Sequence, residues 1–211
     1  TVIPDSGEFE AKAVVIAAGA RHRLLGLENE QNLIGNGISF CAVCDGAFFA
    51  GKTVGVVGGG NSALQEALLL AETSRKVMVF QNLDRLTGEQ KLIDQLGKKS
   101  NVEVLLGCKV LAYTGSGELQ GVVVRRDGET REYKLDGLFL AVGLVPQNAP
   151  FADVAALDDR GYIAAGEDCV TVTPGVFVAG DCRNKQIRQV TTACADGAVA
   201  ALAACRYIDS L

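Results

Sequence analysis

Basic residues are few and scattered. The 211-residue chain carries 20 lysines and arginines against 25 aspartates and glutamates, a net charge of −5, and no lysine/arginine block stands out. That balance excludes a surface built to neutralise nucleic-acid phosphates. Long apolar runs are also missing, although 48% of the residues are hydrophobic. None reaches the roughly 18 residues that a membrane-spanning helix requires. The opening TVIPDSGEFEAKAVVIAAGA has no basic region leading into an apolar stretch, so no signal peptide is expected there. No linker or low-complexity tract divides the chain. Histidine occurs once, at His22, which leaves little for a zinc site.

Cysteine and glycine are well supplied. Seven cysteines, an odd number, do not suit a secreted disulfide framework and point to a reducing cytoplasm. Five of them (Cys108, Cys169, Cys182, Cys194 and Cys205) stand alone among apolar or small residues and read as buried small hydrophobes. The 25 glycines recur at the ends of apolar runs. AVVIAA at 13–18, TVGVVGGG from Thr53, LFLAVG from Leu138 and GVFVAGD from Gly175 all suit strands buried on both faces of a sheet. Each closes on glycine or a small residue, at the edge where open α/β sheets bind ligands. Helical segments lie between them. In NSALQEALLLAETS, Ser62 and Gln65 are spaced as a capping box, and Thr87 and Gln90 repeat the arrangement. Asp127-Gly128 predicts a hairpin, and the alanine-rich stretch from about Thr192 to Ile208 predicts a final helix.

The fold class expected is α/β: a partial, interrupted nucleotide-binding domain into which a Rossmann-like domain is inserted. The division predicted is 1–38, 39–150 and 151–211, with a complete βαβ unit at 51–81.

Within the insert, Gly58-x-Gly60-x-x-Ala63 follows a strand and opens a helix. Gly58 permits the tight turn, Gly60 admits a pyrophosphate to the backbone, and Ala63 allows close helix–strand packing. Asn61 and Ser62 begin the helix, whose N-terminus favours phosphate. The second strand ends at Gln81, followed by NLDRLTG: neither an acid for an NAD ribose nor an arginine cluster for the NADP phosphate, Arg85 standing alone. The turn fits a dinucleotide without specifying NADH or NADPH.

Cys41-Ala-Val-Cys44 could be half a zinc site, but the remaining cysteines are scattered and no second close pair exists. A redox disulfide fits better, with Asp45 beside it able to move protons during exchange, or serving only as a turn residue before Gly46. A dinucleotide delivers two electrons as hydride and a disulfide accepts two as thiolates; a flavin between them links the two.

FCAVCDG, VVGGGNSALQEAL, AVGLVPQN and VFVAGDCRNKQIRQVTTACADGAVAA together resemble the low-molecular-weight thioredoxin reductases of bacteria, over essentially the whole chain. The resemblance implies FAD, a nicotinamide cofactor, a thioredoxin or thioredoxin-like partner and a homodimer whose nicotinamide domain rotates. It implies that Ala18 and Gly19 belong to the flavin domain's nucleotide-contacting strand, and that Gly180 and Asp181 meet the FAD ribityl or pyrophosphate. Arg188, Gln189 and Val190 would line the isoalloxazine, with the final helix pointing its N-terminus at the ring. Cys44 would be the flavin-proximal sulfur, Cys41 the one exchanging with substrate, and Asp45 the proton donor. The sequence departs from the family twice. The family's opening FAD fingerprint is absent, so the chain is expected to be a C-terminal portion that holds FAD poorly and is marginally stable or oligomeric by itself. The family's 2′-phosphate cations would fall at Gln81, Asn82, Leu83 and Thr87, and none matches. That leaves room for a relative using another donor, such as reduced ferredoxin, for a dithiol oxidase, or for an inactive nucleotide-binding fragment.

Overall fold

The computed structural model describes residues 7–211; the first six residues of the segment read for a signal peptide lie outside them. The chain forms two compact units, one from Thr1–Arg21 and Leu144–Leu211, the other from His22–Gly143. Strands β1 (Val14–Ile16) and β2 (Ala20–His22) precede the second unit. That unit runs α1 (Glu30–Leu33), β3 (Ile38–Ser39), α2 (Ala42–Asp45), β4 (Thr53–Val57), α3 (Asn61–Ala71), β5 (Lys76–Phe80) and α4 (Gln90–Leu96). It continues through β6 (Val102–Leu105), β7 (Cys108–Thr114), β8 (Gly121–Arg126), β9 (Glu129–Lys134) and β10 (Gly137–Leu140). The chain ends with β11 (Leu144–Pro146), β12 (Val176–Val178) and α5 (Val190–Asp209). Among the described residues no helix is long and apolar enough to cross a membrane.

In the 22–143 unit, β3-β10-β4-β5-β6 form a five-stranded parallel sheet and β7-β8-β9 a separate antiparallel one. The unbroken apolar runs in β4, β5 and β10 follow from burial on both faces. Val54, Val56, Val77, Val79 and Phe139 pack against Ala63, Leu64, Ala67 and Leu70 of α3 and Leu96 of α4. Val57, Met78, Phe80, Leu138 and Leu140 pack on the other side with Val110, Val122 and Val124 of the antiparallel sheet. Leu24, Leu25, Leu27, Leu33, Ile34 and Ile38 join that second cluster. This is why residues 22–38 fold with the central unit, whereas motif placement alone assigns them to the flavin side. Asp127 (φ 51°) and Gly128 (φ 83°) make the expected β8–β9 hairpin.

Both predicted capping boxes are replaced by other arrangements. Helix α3 begins at Asn61 with Gly60 as its cap and no side-chain capping bond, because the glycine turn starts the helix before Ser62. Helix α4 starts after Glu89, because the Thr87 and Gly88 N–H groups are drawn to the Gly59 carbonyl at 2.7 and 3.0 Å.

In the other unit β1 pairs in parallel with β12, and α5 packs on β12 through a stripe including Ala200, Ala203, Ala204 and Tyr207. Strand β1 is not buried on both faces as its run implies: Ile16 is covered while Val15 is 41% exposed, since α5 covers Phe177 of the neighbouring strand instead. Of the five isolated cysteines, Cys108, Cys169 and Cys182 are buried, but Cys194 and Cys205 are exposed. Those two lie on α5 off its buried stripe of Asp196, Ala200 and Ala204.

Candidate active site: a cysteine pair and a glycine turn on one unit

Cys41 and Cys44 are disulfide-bonded, their Cα atoms 5.3 Å apart. Cys41 precedes the one-turn helix α2 in extended conformation and its Sγ accepts the Cys44 N–H at 3.1 Å, closing the ring locally. A helix this short does not hold itself; its anchors come from neighbouring segments. Ser39 at the end of β3 donates its hydroxyl to Asp45 Oδ2 at 2.6 Å and accepts the Cys41 N–H at 3.2 Å, tying the carboxylate and the first cysteine to one hydroxyl. From α3, the Glu66 carboxylate accepts the Ala42 N–H. Burial pushes the Glu66 carboxyl above its usual range, and the Ala42 N–H pulls it partly back. Of the two bonded cysteines, Cys44 is exposed and Cys41 is partly buried. Among the described residues no cluster of three metal-ligating side chains exists.

The glycine turn stands at the carboxyl edge of the parallel sheet, bordering a cleft of about 880 Å³. Gly58 has φ 133°, and a Cβ there would stand 2.5 Å from the Ala141 carbonyl oxygen. At Gly60 a Cβ would meet only Thr87 Oγ1, at 3.8 Å, so that position opens onto the cleft. With no side chain capping α3, its first N–H groups are left for a ligand. Ala63 is fully buried against the sheet. The Asn61 side chain pairs with Glu89 in both directions, at 2.9 and 2.7 Å, while Ser62 is exposed. These features fit a pyrophosphate.

The far end of the cleft is different. Gln81 is buried, its amide spent on the Arg85 carbonyl (3.1 Å) and the Asn82 N–H (3.1 Å). Arg85 is largely exposed beside Asp84, and the cations lining the cleft are Arg23 and Lys109. The loop carrying Arg23 is fixed by buried Glu30, which accepts the Leu25 and Gly26 N–H groups at 2.9 and 2.8 Å and the Tyr113 hydroxyl proton. Burial, then the Glu30 bond, pushes the Tyr113 phenol far above its usual range.

The remaining predicted residues lie in the other unit. Gly19 (φ 69°) and exposed Ala18 follow β1. Gly180 (φ 79°) and Asp181 follow β12. One Asp181 carboxylate oxygen is buried with no hydrogen-bond partner among the described residues, its nearest cation being Lys185 at 3.8 Å. An orphaned acceptor of this kind fits the hydroxyl donors of a flavin ribityl chain. Arg188 stacks on Tyr162 at 4.0 Å and reaches the Asp181 carbonyl at 3.3 Å. Gln189 caps α5 reciprocally with Thr192, and Val190, the first helical residue, is 80% exposed.

Sequence reading missed three supports. Ser39 and Glu66 order the cysteine helix, and neither carries a motif signal. Asp196, buried inside α5, accepts from Arg183 (3.0 and 3.2 Å), Lys185 (3.0 Å) and the Gly180 N–H (3.0 Å). Burial would raise the Asp196 carboxyl, but Arg183, Lys185 and Gly180 together hold it below its usual range. The signal for it was a lone acid on the buried stripe of an alanine helix.

Fold and site together define a two-nucleotide disulfide enzyme. The description pyridine nucleotide-disulphide oxidoreductase matches residues 2–197, and the chain belongs to that family, with its interrupted flavin-type fold and inserted CxxC-bearing Rossmann-like unit. It is similar to the thioredoxin reductase of Listeria monocytogenes serovar 1/2a, 40% identical over all of this chain and 67% of the relative. That of Bacillus subtilis strain 168 is 38% identical over 98% of the chain and 66% of the relative. Among solved structures, Lactococcus lactis thioredoxin reductase superimposes with a TM-score of 0.80 at 35% identity, covering 98% of this chain and 69% of that one. The chain thus spans about two thirds of its relatives' length.

Proposed function

We propose that the chain carries the dithiol centre and nucleotide sites of a flavin-dependent thioredoxin reductase, acting as a homodimer in a reducing cytoplasm. The Cys41–Cys44 disulfide carries this reading: it is held beside an ordered Asp45 and shares its unit with the uncapped Gly58–Ser62 turn. The unit of residues 22–143 serves the nicotinamide and the dithiol, and the unit that ends at Arg21 and resumes over 144–211 serves the flavin. Bound FAD supplies a two-electron carrier between nicotinamide hydride and disulfide. Ala18, Gly19, Gly180, Asp181, Arg188, Gln189 and Val190 hold it; Gly58, Gly60, Asn61, Ser62 and Ala63 hold the dinucleotide pyrophosphate.

Two-electron reduction breaks the Cys41–Cys44 bond and two protons arrive. Asp45, oriented by Ser39, moves one of them at the sulfurs. The Cys41 thiolate then attacks the thioredoxin disulfide and forms a mixed disulfide. Cys44 attacks Cys41 Sγ, restoring the intramolecular bond and releasing reduced thioredoxin as a dithiol.

A second reading concerns the donor. With Gln81 buried and self-satisfied, the tip of β5 offers no cation of its own to a 2′-phosphate, and among the described residues only Arg23 and Lys109 line the cleft as cations, which favours NADH, or a donor such as reduced ferredoxin, over NADPH. Flavin-loaded protein is mixed anaerobically with each of the three, and thiols at Cys41 and Cys44 are counted by alkylation and mass spectrometry. Opening of the disulfide by NADH or ferredoxin, and more slowly by NADPH, is expected. An intact disulfide with all three overturns the proposal.

A further inference from the structure

We infer that Glu66 is a positioning residue for the cysteine pair, holding the peptide that follows Cys41 and setting a negative charge on the amide joined to that cysteine. The inference rests on the proposed function, in that it takes Cys41–Cys44 as a working redox couple. It goes beyond that reading by assigning a residue outside the CxxC motif to the poise of the couple.

The geometry is specific. Glu66 projects from α3, which packs against α2. Its Oε2 accepts the N–H of Ala42, the amide joined directly to Cys41. Ala42 is 3% exposed and belongs to the cluster under α3, so the amide cannot turn to water for a replacement partner. Glu66 itself is partly buried. Among the described residues no lysine or arginine forms an ion pair with it. A partly buried carboxylate with no cation is costly to keep, and a structural acceptor for one amide could as well be glutamine. Its upward pKa displacement comes from burial, with the Ala42 N–H favouring the charged form.

The consequence concerns the reduced state. Opening the disulfide with two electrons and two protons yields a dithiol, of which one sulfur ionises for exchange. A carboxylate one peptide away opposes a thiolate at Cys41. Stabilised thiolate makes a disulfide more oxidising; opposing it therefore keeps the couple a stronger reductant, as suits passing electrons to another disulfide. Ser39 and the Cys44 N–H position the helix, and Asp45, held by Ser39, is a second carboxylate near the pair that the Glu66 variants leave in place.

The test is the equilibrium between the protein disulfide and dithiothreitol, which is oxidised to its cyclic disulfide as Cys41 and Cys44 become thiols. Wild type, Glu66→Gln and Glu66→Ala are equilibrated at pH 7, quenched, alkylated and weighed. Glu66→Gln keeps the acceptor oxygen and removes the charge. It is expected to shift the equilibrium about fivefold or more toward the dithiol and to speed iodoacetamide alkylation of Cys41 similarly, with an unchanged thermal midpoint. Glu66→Ala is expected to shift the equilibrium in the same direction and also to lower the midpoint. An equilibrium for Glu66→Gln within about twofold of wild type (the error of such titrations, small beside the charge effect) overturns the inference. A lowered midpoint without that shift shows a purely structural role and overturns it too. If dithiothreitol cannot open the wild-type disulfide at all, the redox reading of the pair fails first, and the inference falls with it.

Discussion

At Gly58 the backbone has φ 133° and a Cβ would stand 2.5 Å from the Ala141 carbonyl oxygen, so no side chain fits without moving the end of β10. Gly58→Ala combines strain in a conformation that disfavours L-residues with a clash against backbone, and is expected to cost ~1–3 kcal/mol. Because the turn and the α3 N-terminus move together, nucleotide affinity should fall as well. Chemical denaturation and nucleotide titration of the same variant check both; unchanged stability would contradict the close approach. Gln81 makes the complementary point. It stands at the tip of β5, but its amide is bound inside its own loop. The sequence showed that the cations were missing there; it could not show that the replacement side chain is buried.

At the scale of elements, the strands and the β8–β9 hairpin were readable because a buried parallel strand and an Asp-Gly turn each leave a local pattern. The helix starts were not. Ser62 and Thr87 have capping chemistry, yet the glycine turn and the Gly59 carbonyl determine where α3 and α4 begin. Contacts between distant segments left no local trace, and so Ser39, Glu66 and the Asp196 network escaped notice. Asp196 ties α5 to the Gly180 turn through Arg183 and Lys185. Its folded-state pKa is depressed below 3.8. The stability it contributes is therefore fully present above the unfolded-chain value and is lost as pH falls through the folded value. The stability of the wild type should fall below about pH 4, and Asp196→Asn should be less stable at neutral pH with a flatter acid limb. Denaturation at pH 7, 5 and 3 checks this; parallel acid limbs would contradict the assignment.

For the molecule as a whole, the family resemblance was legible because the CxxC-Asp-Gly and glycine-turn segments lie fourteen residues apart in one stretch, from Cys44 to Gly58. The structure supplies the reason: β3, α2, β4 and α3 form one packed unit in which α3 both follows the glycine turn and holds the cysteine helix. The roles of the two sulfurs are less evident from the chain. Resemblance gives exchange to Cys41, whereas Cys44 is the more exposed. The most direct measurement uses single-cysteine variants, Cys44→Ser and Cys41→Ser, each also carrying Cys194→Ser and Cys205→Ser to silence the exposed free thiols. Each is mixed with a thioredoxin that lacks its resolving cysteine and is activated as a nitrobenzoate disulfide. The account predicts that the Cys44→Ser protein, through Cys41, forms a covalent complex and releases one thionitrobenzoate, at least about tenfold faster than Cys41→Ser. Equal rates, faster capture by Cys44, or no capture by either would contradict it.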